Sequence, residues 1–315
     1  WILFGLFPNR ERLRLSLIPA RIAQTLRLDR LLLGTGLWKL LPPRLGRLMT
    51  MLPKLQKEPP PLPNVLPAKG EQRARVAMFI GCVADVMFRH THWATARVLQ
   101  ENGCEVVINS TQVCCGAIHL HAGSAEPARE LADTNTTAFN ADEVDAIIVN
   151  VAGCAAMLKD YGHHWDDDNQ DERARLAAKI KDVNEFLDEL GMIPPTGALN
   201  VTATYHDACH LAHAQQIRQQ PRDLLAQIPG LNLVELPESE FCCGAAGTYN
   251  LTEPGMAGRL SRRKMSNILG TGARVVVTAN AGCLMQIAVI AKIPVVHTVE
   301  LLDWATGGPA PEELT

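Results

Sequence analysis

The chain has 315 residues, is 47% hydrophobic and 20% charged, and has a mean hydropathy of +0.01. That is room for about two domains with real apolar cores, and it excludes a disordered or fibrous chain. No apolar run approaches the roughly 18 residues that a membrane-spanning helix needs, and the net charge of -3 hides a basic segment, +8 over residues 1–58, ahead of an acidic body of -11.

The basic segment comes first. Leu13, Leu15, Leu17, Ile18, Ile22 and Leu26 mix with Arg10, Arg12, Arg14, Arg21, Arg27 and Arg30 in an amphipathic pattern. Pro19, Pro42-Pro43 and Pro53 are expected to divide it into short helices, and residues 59–67 read as an extended linker. Such a helix suits an anionic membrane surface, a partner protein or ordinary packing. Trp1 stands where an initiator Met is expected, so the chain reads as a piece of something longer.

Further on, residues 75–80, 105–109 and 146–151 are short β-branched, apolar runs, and 201–205, 231–236 and 274–278 repeat the theme. Helical stretches lie between them, such as 91–101 ending at Asn102-Gly103, and 125–138. Strand alternating with helix predicts an α/β chain of two pseudo-equivalent, Rossmann-like domains with parallel sheets, at about 71–195 and 196–306, after the helical segment 1–70 and before a tail, 307–315. Ligands of such sheets bind beyond the carboxyl ends of the strands.

Each predicted strand is followed by cysteine. Setting aside Cys104, which reads as structural, eight cysteines form two sets: Cys82, Cys114, Cys115, Cys154 and Cys209, Cys242, Cys243, Cys283. Corresponding members lie 127, 128, 128 and 129 residues apart, and Cys114-Cys115-Gly116-Ala117 answers Cys242-Cys243-Gly244-Ala245. This is an internal duplication with the cysteines as fixed points. Nine cysteines are too sparse for a secreted disulfide scaffold and point to a reducing compartment. Four converging thiolates suit an iron-sulfur cluster or zinc. Paired C-x(2–4)-C zinc knuckles are absent, and adjacent cysteines are expected to diverge toward separate irons of a cluster. The competing reading is a set of buried apolar cysteines.

His119 and His121 follow the first Cys-Cys pair, while His206, Asp207, His210 and His213 bracket Cys209. They are candidates to donate hydrogen bonds to cluster sulfurs or to move protons, with Asp207 orienting His206 or capping a helix; the alternative is plain packing. His90, His92, His163 and His164 carry no such expectation. No G-x-G-x-x-G follows a strand, so no dinucleotide site is expected on this chain, and the acidic body disfavours nucleic acid.

Longer words sharpen the picture: Cys114-Cys115-Gly116-Ala117-Ile118-His119-Leu120-His121-Ala122-Gly123, Tyr205-His206-Asp207-Ala208-Cys209-His210-Leu211-Ala212-His213-Ala214-Gln215 and Phe241-Cys242-Cys243-Gly244-Ala245-Ala246-Gly247-Thr248-Tyr249-Asn250-Leu251. They resemble the duplicated CCG cysteine-rich domain of heterodisulfide reductase and of iron-sulfur subunits of flavin-dependent dehydrogenases, most closely those of bacterial glycolate oxidases. The resemblance implies a non-substrate-binding oxidoreductase subunit that carries one or two [4Fe-4S] clusters on the eight paired-set cysteines. It implies electron relay from FAD-containing partner subunits, where glycolate becomes glyoxylate, to a membrane quinone, at the inner face of the cytoplasmic membrane.

Two departures stand out. The family's ferredoxin-like domain, with its C-x2-C-x2-C-x3-C-P motifs, does not occur in these residues. The C-x-x-C endings of the heterodisulfide reductase version are replaced by Met157 and Gln286, which counts against disulfide chemistry. Alternatives are a zinc-stabilised or metal-free docking scaffold, and a sister subunit for lactate or glycerol 3-phosphate.

Overall fold

The computed structural model describes residues 2–40, 52, 54–55, 57–291 and 293–315. Trp1 and the breaks expected at Pro42-Pro43 and Pro53 lie outside the described residues.

Two sheets organise the chain. The first holds β1 (Val65–Leu66), β2 (Ala74–Phe79), β3 (Cys104–Val107), β4 (Ala146–Val149) and β5 (Ile180–Asp182), in the order β1-β3-β2-β4-β5. The second holds β6 (Thr202–Tyr205), β7 (Asn232–Val234), β8 (Val275–Thr278) and β9 (Val295–His297), in the order β7-β6-β8-β9. Neighbouring strands are parallel, save that β1 runs antiparallel along β3. The expected α/β architecture with two parallel sheets is therefore present. The sheets superpose in register as well as in order: Val76 sits opposite Ala146, and Ala203 opposite Val275, offsets of 127 and 129 as between the cysteines. β4 and β8 are buried along their whole length, as strands covered by helices on both faces must be.

Helices make the crossovers. Arg89–Glu101 returns the chain from β2 to β3 and stops at Asn102-Gly103, as expected. Gly103 has φ +78°, and a Cβ there would lie 2.6 Å from the Glu71 carbonyl, so only glycine fits this stop.

The halves exchange their last helices. Thr298–Ala305, which follows β9, packs on Arg89–Glu101 of the first half, where Arg97 Nη2 donates to Asp303 at 2.6 Å and Thr91 Oγ1 to Glu300 at 2.6 Å. Val183–Leu190, which follows β5, packs on Gln220–Ala226 of the second half. One core results: Val76, Met78, Val106 and Ile148 pack in a single cluster with Ala203, Tyr205, Val277 and Val296.

At the amino end a helix spans Arg10–Thr25, capped by the Asn9 side chain. It runs unbroken through Pro19, contrary to the expected break. The missing Pro19 amide would have paired with the carbonyl of Leu15, which lies on the exposed side where water can take its place. Leu13 and Leu17 pack on Val86 and Met87. The arginines turn inward: Arg10 to the Gly81 and Gln112 carbonyls, Arg14 and Arg21 to Glu58. The outward row is apolar, Leu15, Ile18, Ile22 and Leu26. Among the described residues no helix is long and apolar enough to cross a membrane.

Candidate metal centre

Every paired-set cysteine lies just past the carboxyl end of a strand: Cys82, Cys114-Cys115 and Cys154 after β2, β3 and β4, and Cys209, Cys242-Cys243 and Cys283 after β6, β7 and β8. Cys154 and Cys283 stand in the first turns of Ala152–Lys159 and Ala281–Ile290. Cys104 sits at the opposite end of the first sheet, buried in the shared core, and burial pushes its thiol up to about 11.

In each half the thiols form a string in which each acts on the titration of the next, Cys82, Cys114, Cys115, Cys154 and Cys209, Cys242, Cys243, Cys283. Cys82 Sγ lies 3.2 Å from Cys114 Sγ, and Cys243 Sγ 3.5 Å from Cys283 Sγ. All nine cysteines are free thiols. The glycine that follows each adjacent pair turns the backbone. Gly116 has φ +82° and Gly244 +94°; a Cβ on Gly244 would lie 2.6 Å from the Ala257 carbonyl.

Crowding sets the electrostatics. Hydrogen bonds from Cys115 and Cys82 hold Cys114 as a thiolate, and the hydrogen bond from Cys243 does so for Cys283. The donors Cys82, Cys115 and Cys243 are pushed up in return, by those same bonds and by burial. Four such sulfurs ionise together only around a cation. The donor set therefore fits a thiophilic metal or an iron-sulfur cluster in each half.

Residues that sequence reading did not single out hold the strings in shape. Asn135 donates to the Cys114 carbonyl at 3.0 Å and accepts from the Val113 amide, while Tyr161 donates to the Cys115 carbonyl at 2.9 Å. In the second half Ser261 donates to the Cys243 carbonyl at 2.8 Å and is itself held by Gln286, so Gln286 supports the loop of a cysteine. Met157 is core. The signal for Asn135 and Tyr161 was absent from sequence, because both act at distance on backbone carbonyls.

The histidines separate. His206 is buried, Nδ1 donating to the Ser239 carbonyl at 3.1 Å, and a nitrogen of its ring lies with Cys243 Sγ and Cys283 Sγ, all within 4.8 Å of one another. His119 is buried and stacks on Phe4 at 4.9 Å. His121 and His210 face each other across the halves at 5.8 Å, and His210 Nδ1 lies 3.6 Å from Cys209 Sγ. His213 is exposed and meets Arg218 at 3.2 Å, since His210–Ala214 closes as a π-turn that sends the two rings apart. Asp207 does not orient His206: its carboxylate pairs with Arg222 at 2.8 and 2.6 Å. His90 and His92 are structural, paired with Glu300 and the Ile80 carbonyl; His163 and His164 are exposed.

The family model "Cysteine-rich domain" (CCG) matches residues 76–159 and 203–288, and "Glycolate oxidase iron-sulfur subunit, linker region" matches residues 1–52. The Bacillus subtilis protein named "Probable glycolate oxidase iron-sulfur subunit" is 36% identical over 96% of this chain and 71% of its own length. "Lactate utilization protein A" of Geobacillus kaustophilus is 32% identical over 73% of this chain and 98% of its own. A solved hypothetical protein from Helicobacter pylori aligns at TM-score 0.48 and 13% identity over 80% of this chain and 52% of that one, too loosely to bear on function. Two matched cysteine-rich repeats, a matched linker and these relatives place the chain in the family of glycolate oxidase iron-sulfur subunits, electron-transfer subunits of hydroxy-acid dehydrogenase complexes.

Proposed function

We propose that this chain relays electrons from FAD-containing partner subunits, which oxidise glycolate to glyoxylate, toward a quinone acceptor. The observation that carries the reading is the pair of four-cysteine sets, both at the carboxyl ends of parallel strands, with Cys82 Sγ 3.2 Å from Cys114 Sγ in one and Cys243 Sγ 3.5 Å from Cys283 Sγ in the other. Cys82, Cys114, Cys115 and Cys154 would hold one [4Fe-4S] cluster, and Cys209, Cys242, Cys243 and Cys283 a second, within domains spanning about 71–195 and 196–306. Each cluster supplies one-electron transfer. The chain's own residues do the rest: Asn135, Tyr161 and Ser261 fix the cysteine loops, and burial shields Cys82, Cys114, Cys115, Cys243 and Cys283 from water. Glycolate is favoured over lactate because the glycolate-named relative spans residues that include the matched linker, 1–52, whereas the lactate-named one covers 73% of the chain. A peripheral place at the inner membrane face is supported by the outward row Leu15, Ile18, Ile22 and Leu26.

The test is iron, sulfide and zinc content of anaerobically purified protein, with EPR before and after dithionite. About eight irons with matching sulfide are expected from two four-iron clusters, with Cys115→Ser losing the first half's share alone. Zinc in place of iron, after attempted cluster reconstitution, would make the chain a colourless docking scaffold and overturn the proposal.

A further inference from the structure

The two halves match in their cysteines but differ at positions beside them, among them the one that His206 occupies ahead of Cys209. Applying the 127-residue offset that relates Cys82 to Cys209, the counterpart of His206 is Phe79. Phe79 is buried and apolar and offers the first string nothing to bind with. His206 is equally buried, 1% exposed, and is held rigidly. Its backbone amide donates to the Val277 carbonyl at 2.8 Å, which ties it to the end of β6 against β8. Its ring is fixed by the Ser239 carbonyl, 3.1 Å from Nδ1. A carbonyl only accepts, so Nδ1 carries the proton and Nε2 presents a bare lone pair.

That lone pair is buried and has no hydrogen-bond partner. Soft ligands stand beside it, because a nitrogen of the His206 ring, Cys243 Sγ and Cys283 Sγ lie within 4.8 Å of one another, and the two sulfurs are 3.5 Å apart. Among the described residues this is the one group of three such donors that close together. An imidazole whose far nitrogen is pinned to a backbone carbonyl while its near nitrogen faces sulfurs is the arrangement seen when histidine binds a metal. The neighbouring carboxylate does not compete, since Asp207 is committed to Arg222.

We propose that His206 is a metal ligand, its Nε2 binding an iron of the second cluster beside Cys243 and Cys283. The inference rests on the reading that the second half holds an iron-sulfur cluster. It makes the halves chemically unequal: four thiolates in the first, and an imidazole added to four thiolates in the second.

The experiment uses the whole chain, purified anaerobically and reconstituted with iron and sulfide, with unlabelled or [15N]histidine. Pulsed EPR of the reduced protein is expected to show a strongly coupled nitrogen that changes with the label on one of two cluster signals. His206→Cys should retain iron in both halves, lose that coupling and bring the second signal down in potential. His206→Ala should lose the coupling while the four cysteines keep second-half iron, and the first half's signal reports that the chain is folded. Two clusters of full iron content with no label-sensitive coupling would overturn the assignment of His206 and leave the relay intact. A Cys243→Ser chain that keeps all the iron of the parent would mean that the second half holds no cluster, and would overturn both.

Discussion

Asn280 reaches into both halves at once: its Oδ1 accepts from the Gly153 amide at 3.2 Å, and its Nδ2 donates to Cys283 Sγ at 3.4 Å. Gly153 precedes Cys154, the last thiol of the first string, and Cys283 is the last of the second. The amide of Ala152 also pairs with the Ala279 carbonyl at 3.1 Å. The two strings are thus joined end to end through one side chain and a few bonds of backbone.

Removing that side chain should be felt on both sides. Asn280→Ala leaves the Gly153 amide unpaired, a loss of about 1–3 kcal/mol, and takes a donor from a thiolate, which lowers the second cluster's potential. Asn280→Asp keeps the acceptor for Gly153 but sets a carboxylate against sulfur, so the potential should fall further while stability recovers. Redox titration alongside denaturant unfolding separates the two effects. An unchanged second potential in both variants would show that Asn280 is only a structural link.

Gly244 governs the second string in a different way. With φ +94° and a notional Cβ 2.6 Å from the Ala257 carbonyl and 2.8 Å from Ser261 Oγ, it lets the Cys242-Cys243 loop lie flat on helix Pro254–Gly270. Gly244→Ala must push that helix away and break the Ser261 bond to the Cys243 carbonyl. The expected result is loss of second-half iron with the first half retained. Gly123→Ala, at φ +79° with nothing within 4 Å, should cost only about 1 kcal/mol of backbone strain and no iron. Equal iron loss in both would remove close packing as the cause.

Arg10 ties the amino-terminal helix to the first string. Its Nε donates to the Gly81 carbonyl at 2.7 Å and its Nη2 to the Gln112 carbonyl at 2.8 Å, just ahead of Cys82 and Cys114. Arg10→Ala should cost about 1.5–3 kcal/mol for each charged hydrogen bond lost. It should also speed iron release from the first half in air, followed by the bleaching of its visible absorption. Arg12→Ala, exposed and bonded only to the Gly5 carbonyl and the helix cap, is the comparison expected to change nothing.

Much of this site could be read before any coordinates. The cysteine offsets carry the duplication because each cysteine follows a strand, and strand spacing is what a repeat conserves in space. What stayed hidden has physical reasons. β5 and β9 are three residues each, too short for alternation to show. The helix exchange depends on contacts between residues about two hundred apart, such as Arg97 with Asp303. Charge counting shows that the leading segment is basic but not that Arg10, Arg14 and Arg21 point inward. The Phe79 and His206 pair was visible in the offset, yet a search for likeness between halves passes over the position where they differ.

The junction of the halves should also make the protein acid-sensitive. His92 and His297 are buried, and both converge on Asn150. His92 Nδ1 meets Asn150 Nδ2 at 3.0 Å while its Nε2 donates to the Ile80 carbonyl; His297 Nε2 donates to the Asn150 carbonyl at 2.9 Å while its Nδ1 accepts from the Val299 amide. Each ring is fully used in its neutral form, and burial lowers both to about 4. The unfolded chain therefore binds more protons than the native one as pH falls below the usual histidine value. The stability these rings contribute is present at pH 7 and is lost from about pH 6.5 down to about 4. Asp182 works the other way. Burial raises it to about 6, and its Oδ2 has no partner, so the native state gains on the unfolded one as pH falls through 6. Between pH 7 and 5 each histidine costs about 2 kcal/mol and Asp182 returns about 1, a net loss of about 3 kcal/mol. In denaturant unfolding at the two pH values, His297→Asn, which keeps the helix cap, should cut the loss to about 1 kcal/mol, and Asp182→Asn should raise it to about 4. A wild-type stability that is flat across this interval would mean that these rings are not held neutral, and that the seam between the halves admits water.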